Sequence, residues 1–216
     1  MISHAMTIVM NELEKHFSDS YGTDSAPVQP QVGLGNVSEG LVTVSGNGGL
    51  LRNKLYLSLV NIKEEKTLKN IPNRIRDDAT LKVTYENPPV FLNFLILVTA
   101  SHTEYLNALT VLSRTIRFFQ FRNVFTQDNV APESISSSSV PFNPLDQLEE
   151  FKLIFDLYSP TMEEVNHLWG TLGGKQYPFV LYIMRMLDLK FKAVQKESGL
   201  ITEVINDFYH YRNSFT

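Results

Sequence analysis

The feature that most restricts the fold is an apolar run at residues 90–98, with the sequence VFLNFLILV. Asn87-Pro88-Pro89 precedes this run and favours extended backbone, because proline disfavours helix in the residue before it. Apart from Asn93, both faces of such a strand are apolar, which is typical of a central strand covered on both sides. Even when extended to Ala100, the run has about half the length that a bilayer-spanning helix needs. The sequence therefore predicts a soluble, layered domain that is not inserted directly into a membrane.

Three segments have the signals of helices. Residues 1–17 carry a single apolar stripe at helical spacing. Ser101-His102-Thr103-Glu104 matches a capping box, which predicts a helix that runs to about Gln120. Ser159-Pro160 is expected to begin another helix, which ends at Gly173-Gly174. The predicted core stripe of the middle helix consists of Tyr105, Leu109, Leu112, Ile116 and Phe119.

Strand-like segments lie between and after these helices. They cover residues 35–44, 55–62, 81–85, 90–98, 151–157 and 179–189. This order predicts an α+β fold with a mixed, mainly antiparallel sheet, two packed helices, an N-terminal helix and a C-terminal arm. The domain is assigned to residues 1–190 and the arm to residues 191–216.

The charge and the cysteine content exclude several classes of protein. The net charge of the 216 residues is −4, whereas a nucleic-acid-binding domain normally has a clustered basic face that neutralises phosphates. We therefore predict no nucleic-acid partner. The chain has no cysteine, which excludes disulfides, thiolate metal sites and thiol catalysis.

The histidines, carboxylates and glycines are not spaced as catalytic or metal sites require. Glu164 and His167 share one helix face, but a di-metal site needs a second such pair. Gly173-Gly174-Lys175 is followed by Gln176, where a phosphate-binding loop needs Ser or Thr. We predict no catalytic residue, no metal ligand and no cofactor, with an enzyme whose site the sequence does not reveal as the alternative.

An ordered series of segments resembles one protein family. The segments are SLVNIKEEKTL at residues 58–68, NPPVFLNFLILVT at 87–99, YLNALTVLS at 105–113, FFQ at 118–120, VFT at 124–126 and NHLWGTLGGKQYP at 166–178. Together they resemble the N-terminal domain of the cap proteins of extracellular contractile injection systems and of related type VI-like machines. The resemblance covers about residues 1–190. One departure is Phe179-Val180-Leu181-Tyr182-Ile183, where a polar residue is expected after Pro178 and a basic residue after Tyr182.

This resemblance implies a tail-terminator-like, non-enzymatic structural protein. Its partners would be further copies of itself in a homo-hexamer, together with the inner tube protein and the sheath protein of the particle. The hexameric ring would close the tube and the sheath at the baseplate-distal end. Assembly would take place in the cytoplasm, in an injection particle that is either released or anchored to a membrane. The alternative is another ring or adaptor of the same particle, at the baseplate or at a tube joint.

Contacts within such a particle are expected from three arms and from one helix end. The arms are the N-terminal helix, the Ser/Pro-rich loop at residues 127–147 and the C-terminal tail, and at least one is expected to contact a neighbour or the sheath. Aromatic and arginine side chains are frequent anchors of interfaces. The candidate interface residues are Arg114, Arg117, Phe118, Phe121, Arg122, Phe208 and Tyr209. The alternatives are a core role for the phenylalanine cluster and a solvated helix face for the arginines.

Overall fold

Eleven strands and four helices make up the part of the chain that the computed structural model describes, residues 1–22, 31–42, 49–68, 72–77, 79, 82–137, 140–189 and 196–199. The helices are α1 (Ile2–Tyr21), α2 (Tyr105–Phe121), α3 (Pro132–Ile135) and α4 (Met162–Thr171). Short 3-10 turns lie at Val37–Glu39, Lys66–Leu68 and Pro144–Asp146. The strands are β1 (Gln31–Leu34), β2 (Leu41–Val42), β3 (Leu50–Leu51), β4 (Lys54–Glu64), β5 (Arg74–Asp77), β6 (Lys82–Tyr85), β7 (Val90–Ala100), β8 (Val124–Thr126), β9 (Lys152–Tyr158), β10 (Phe179–Leu189) and β11 (Lys196–Gly199).

The apolar run identified in the sequence is the third strand of a six-stranded sheet, whose order is β1-β4-β7-β10-β9-β8. β1 is parallel to β4, and the other neighbouring pairs are antiparallel. The predicted mixed, mainly antiparallel sheet is therefore confirmed, together with the α+β class. The covered part of β7 is its second half, Phe94 to Ala100, whereas Val90 is exposed.

Helices cover this sheet on both faces. Phe94, Ile96 and Val98 alternate towards the large core formed with α1 and α2, while Leu97 belongs to a smaller cluster with Trp169 of α4. This alternation is what the pleat of a strand requires when both of its faces are buried. The structure is thus a three-layer arrangement with β7 near its centre.

The departure from the family pattern after Pro178 has a structural reason. Phe179 begins β10 and contacts the indole of Trp169 edge-to-face, with ring centroids 5.3 Å apart. Tyr182 faces the other side of the sheet and lies 4.5 Å from the ring of Phe119. Phe179 therefore completes the core next to α4. Ile183, at the position where a basic residue is expected, is half-buried on the α4 side of the sheet.

Helix α1 is part of the large core and does not extend as an arm. Ala5, Ile8, Val9 and Leu13 are completely buried in it. The N-terminal helix predicted over residues 1–17 is confirmed, and it continues to Tyr21. Its packing on its own domain leaves the loop and the tail as the remaining candidate arms.

The predicted start and orientation of α2 are wrong in two respects. Ser101 does not cap the helix, because its hydroxyl accepts from the Lys54 amide at 3.0 Å and donates to the Lys54 carbonyl at 2.8 Å. The helix begins at Tyr105, after Glu104, with no side-chain cap. The buried face is also rotated relative to the predicted stripe and consists of Ala108, Val111, Leu112, Thr115, Phe118 and Phe119.

This rotation follows from the small side chains of α2. Ala108 and Thr115 bring the helix close to the sheet, and the Thr115 hydroxyl donates to the Val111 carbonyl at 2.9 Å, so that its burial leaves no donor unpaired. Tyr105, Leu109 and Ile116 are consequently exposed.

Helix α4 begins two residues later than Pro160 and has the capping box that α2 lacks. The Glu164 amide donates to the Thr161 hydroxyl at 3.3 Å, and the Thr161 amide donates to the Glu164 carboxylate at 2.8 Å. The predicted glycine stop is confirmed, because Gly173 and Gly174 both have positive φ and the Gly174 amide donates to the Trp169 carbonyl at 2.7 Å.

The long loop at residues 127–147 contains short helical elements. Helix α3 packs on α1, and the Asn11 side-chain amide donates to the Ser134 carbonyl at 3.0 Å. Beyond β10, strand β11 pairs antiparallel with β6 in a three-stranded sheet of order β11-β6-β5. Residues 200–216, most of the predicted C-terminal arm, lie outside the described residues.

Candidate interaction site

Two of the predicted contact residues of α2 differ sharply in exposure. Phe118 faces the sheet and is only 2% exposed, so it belongs to the core and offers no contact surface to a partner. Its ring lies 5.1 Å from that of Phe119 and 5.9 Å from that of Phe125. Phe121 is 78% exposed and remains available. The interface prediction is therefore corrected at Phe118, and it stays a prediction at Phe121.

The three predicted arginines have three different environments. The guanidinium of Arg114 lies over the ring of Tyr21, 4.0 Å from its centroid. Arg122 forms an ion pair with Glu12 of α1. Arg117 is exposed on the outer side of α2 and makes no ion pair with the residues that the structure describes. Phe208 and Tyr209 lie outside the described residues, so their role as contacts stays a prediction.

Glu12 is the charged residue that the sequence did not single out. Its side chain is 4% exposed, and its carboxylate accepts from the Ala131 amide at 2.9 Å and from the Ser134 hydroxyl at 2.6 Å, besides the pairing with Arg122. These contacts connect α1 to the end of α2 and to the loop that carries α3. A carboxylate on a helix shows no local signal of partners that lie more than 100 positions away.

His4 is also buried and is fully hydrogen-bonded to the backbone. Its Nδ1 accepts from the Leu148 amide at 2.8 Å, which leaves Nε2 to donate to the Ile135 carbonyl at 3.0 Å. The ring therefore connects α1 to the end of α3 and to the residue that follows the loop.

An open hollow of about 290 Å³ lies between α1, the end of α2 and residues 128–131. It is lined by charges of both signs from Glu12, Lys15, Asp19, Arg122 and Asp128. Burial lowers the pKa of His16 in this hollow, and the positive charge of Arg122 adds to this effect, while Asp19 opposes it. Three carboxylates and two cationic side chains thus line the hollow, and two of these five groups form the Glu12–Arg122 pair.

A larger groove of about 550 Å³ runs along α4 and faces the projecting ends of β4, β7 and β10. Its lining is partly apolar, from Leu95, Leu168 and Ile183, and partly polar, from Lys63 and Glu164. This groove is the part of the described structure that an enzyme of unrecognised type would use.

The pKa shifts in this groove have a structural cause. The pKa of Glu164 is lowered because its carboxylate accepts from the Thr161 amide and from the Tyr158 hydroxyl, the latter at 2.8 Å. The pKa of Tyr158 is raised by the same hydrogen bond. Both shifts follow from the cap of α4, so they do not indicate a catalytic acid or base.

Metal binding and membrane spanning each require a recognisable arrangement of side chains. Within the described ranges, no group of three or more His, Asp or Glu side chains is arranged to hold a metal ion. None of the described helices combines the length and the apolar character that a membrane span needs.

Comparison with known proteins gave one family match. A family model described as the Pvc16 N-terminal domain matches residues 5–203 of the chain. The match continues past the predicted domain end at residue 190 and includes β11. A comparison with curated protein sequences gave no match.

Two solved structures are similar to this chain. One is the sheath/tube terminator of an extracellular contractile injection system, PVC, in its extended state, with 13% identity and a TM-score of 0.47 over 76% of this chain and 52% of that chain. The other is the tube-terminating cap of the anti-feeding prophage, with 12% identity and a TM-score of 0.49 over 72% of this chain and 49% of that chain. The present chain thus spans about half the length of each.

Proposed function

Because the chain belongs to the Pvc16 N-terminal domain family, which confirms the resemblance found in its sequence, we propose that it is a structural cap of a contractile injection system. In this role it forms a hexameric ring that ends the inner tube and the sheath on the side away from the baseplate. The observation that carries the proposal is the family match over residues 5–203.

The arrangement of the sheet supports contacts at its edges. Helices of the same chain cover part of each face of the six-stranded sheet, so a partner has access to the sheet edges and to the exposed ends of β4 and β7. Among the described strands, β1 and β8 are the edges of the six-stranded sheet, β5 and β11 are those of the three-stranded sheet, and β2 and β3 form a two-stranded sheet. Edge strands accept further strands through backbone hydrogen bonds, which is one way in which a tube or sheath subunit would join the ring.

The proposed role is non-enzymatic. The polar side chains of the α4 groove are used within the chain, since Glu164 caps its own helix and Arg185 pairs with Asp156 at 2.8 Å. A groove that mixes apolar and paired polar groups suits a protein contact at least as well as a small substrate.

The test is to measure the copy number and the position of the chain in isolated particles. Quantitative mass spectrometry is expected to give about six copies per particle, independent of sheath length, as a closed six-fold ring requires. Electron microscopy of particles that carry an epitope-tagged chain is expected to show the tag at the end opposite the baseplate. The untagged strain provides the control.

Three other outcomes would contradict the proposal. A copy number that rises with sheath length would make the chain a tube or sheath subunit. A tag at the baseplate or at a tube joint would make it an adaptor. Absence from intact particles would direct attention to the α4 groove and to small-molecule binding.

A further inference from the structure

Two apolar surfaces remain exposed on opposite parts of the described structure. One, which we call the Phe142 knob, consists of the fully exposed Phe142 and of Leu145, which is 67% exposed. The other, which we call the α2 outer face, consists of Tyr105, Leu106, Leu109 and Ile116, which are all exposed. Exposed aromatic and aliphatic clusters of this kind mark interaction sites.

The backbone that carries the Phe142 knob is held in place by hydrogen bonds. The Asn143 side chain accepts from the Leu145 amide at 3.0 Å, and the Gln147 side-chain amide donates to the Pro141 carbonyl at 2.8 Å. Pro141 and Pro144 further restrict the backbone. A knob that is ordered in advance loses little conformational entropy when it binds.

The α2 outer face can lose water at low cost. The hydroxyl groups that border it are already used within the helix, because Thr110 donates to the Leu106 carbonyl at 2.9 Å and Ser113 donates to the Leu109 carbonyl at 2.8 Å. Covering this face therefore leaves these donors paired and removes apolar surface from water.

The charges around the two surfaces are complementary. Residues 141–150, which carry the knob, include Asp146, Glu149 and Glu150 and contain no Lys or Arg. Helix α2 contains no acidic residue, and Arg117 is exposed on its outer side, whereas Arg114 faces α1. Opposite charges around an apolar contact favour association in one register and disfavour contact between two copies of the same surface.

The two surfaces cannot meet within one chain. The knob segment is fixed at the N-terminal end of α1, where the Leu148 amide donates to His4. Helix α2 contacts α1 through Arg114, Phe118 and Arg122, and its outer face lies on the opposite side of the helix. The order of these contacts shows that α1 and α2 run antiparallel. At a rise of about 1.5 Å per residue, the two surfaces lie roughly 20–30 Å apart along the helix axes.

We propose that the Phe142 knob of one copy packs against the α2 outer face of the next copy. Such a contact joins two different surfaces of the same chain, which is the head-to-tail type of interface from which closed rings are built. This inference rests on the proposed function as a ring and specifies which surfaces join its subunits.

Cross-linking tests the contact, because the chain has no cysteine of its own. Two single-cysteine variants, Leu145→Cys and Ser113→Cys, are made with tags of different mass, mixed and mildly oxidised. Both positions are exposed, and the substitutions keep Phe142 and all four apolar side chains of the α2 outer face in place. We expect the mixed disulfide dimer in at least about tenfold higher yield than in a control mixture, because the contact raises the effective concentration of the two thiols.

The matched control pairs Leu145→Cys with Met162→Cys, an exposed position on α4. Equal yields in the two mixtures would overturn the inference, since cross-linking also traps contacts too weak to form a stable ring. This result is independent of whether the chain is found at the end of the particle, so it leaves the proposed cap function standing. Conversely, a high yield from a chain that is absent from particles would support the contact and contradict the cap.

Discussion

The carboxylate of Glu12 forms an ion pair with the guanidinium of Arg122, which lies 110 positions further along the chain. Glu12 is on the buried side of α1, and Arg122 follows the last residue of α2. Because the same carboxylate also accepts from the Ala131 amide and the Ser134 hydroxyl, one side chain connects two helices and a long loop. The side chains that line the hollow at the end of α2 therefore also hold these elements together.

Removal of Arg122 is expected to destabilise the domain. Arg122→Met keeps an apolar stem but leaves the buried Glu12 carboxylate without its counter-charge. We expect the free energy of unfolding to fall by about 2 kcal/mol, towards the low end for a broken ion pair because Arg122 is partly exposed. Urea unfolding measures this change. The control, Arg117→Met on the exposed side of α2, is expected to change stability by less than about 0.5 kcal/mol, and equal losses in both variants would contradict the role of Glu12.

The stability of the domain is expected to depend on pH through His16. Burial, and then Arg122, lower the pKa of His16 in the folded chain, so the unfolded chain binds more protons between that lowered pKa and the usual value of about 6.5. The contribution of neutral His16 to the free energy of unfolding is therefore fully present above about pH 6.5, and it is lost as the pH falls through the lowered pKa of the folded chain. In His16→Gln, the decrease in unfolding free energy between about pH 7.5 and about pH 5.5 should be smaller than in the unmodified chain. Identical pH dependence in the two chains would show that His16 does not contribute.

Truncation of Phe119 and truncation of Phe121, both in α2, are expected to change the free energy of unfolding by very different amounts. Phe119 is buried and stacks on Phe155 at a centroid distance of 4.8 Å, so Phe119→Ala should cost about 3–5 kcal/mol of unfolding free energy through lost burial and an unfilled cavity. Phe121 is exposed, and Phe121→Ala should stay within about 0.5 kcal/mol. Thermal and urea unfolding distinguish the two results. A large loss in Phe121→Ala would mean that the side chain has a partner in solution.

The cap of α4 is expected to set both the stability of that helix and the titration of Glu164. Thr161→Ala removes the hydroxyl that accepts from the Glu164 amide and should cost about 1 kcal/mol. Because the Thr161 amide and the Tyr158 hydroxyl hold the pKa of Glu164 below its usual value, loosening the cap should move that pKa upwards. Carbon-detected NMR titration of the carboxyl group measures the pKa shift. Thr171→Ala, at the other end of α4, is the control and should leave the titration unchanged.

The central sheet was predictable from sequence because its strongest signals are local. The residues of β7 are mostly apolar on both faces and follow two prolines, and both features favour a buried strand over a helix. The glycine stop after α4 was predictable for the same reason, since the positive φ of Gly173 and Gly174 is a property of a few consecutive residues.

The orientation of α2 and the connection through Glu12 were not predictable in this way. The spacing of large side chains predicted that Tyr105, Leu109 and Ile116 face the sheet. The side of α2 that packs on the sheet instead carries the small Ala108 and Thr115. Ser101 has the residue pattern of a cap, yet its hydroxyl is held by Lys54 of a neighbouring strand. In each case, the deciding partner lies far away in the sequence, and only the packing of the whole sheet brings it close.

The single tryptophan of the chain gives the two faces of the sheet different optical signals. Trp169 lies in the small cluster under α4, 6.0 Å from the ring of Tyr177, while Phe118, Phe119, Phe125, Phe155 and Tyr182 fill the opposite face. Intrinsic fluorescence excited at the indole will therefore report events on the α4 side. Near-ultraviolet dichroism of the phenylalanine bands will report mainly the α1–α2 side, because the fully buried phenylalanines lie there. A binding partner that alters one signal and not the other reveals, without any label, which face of the molecule it touches.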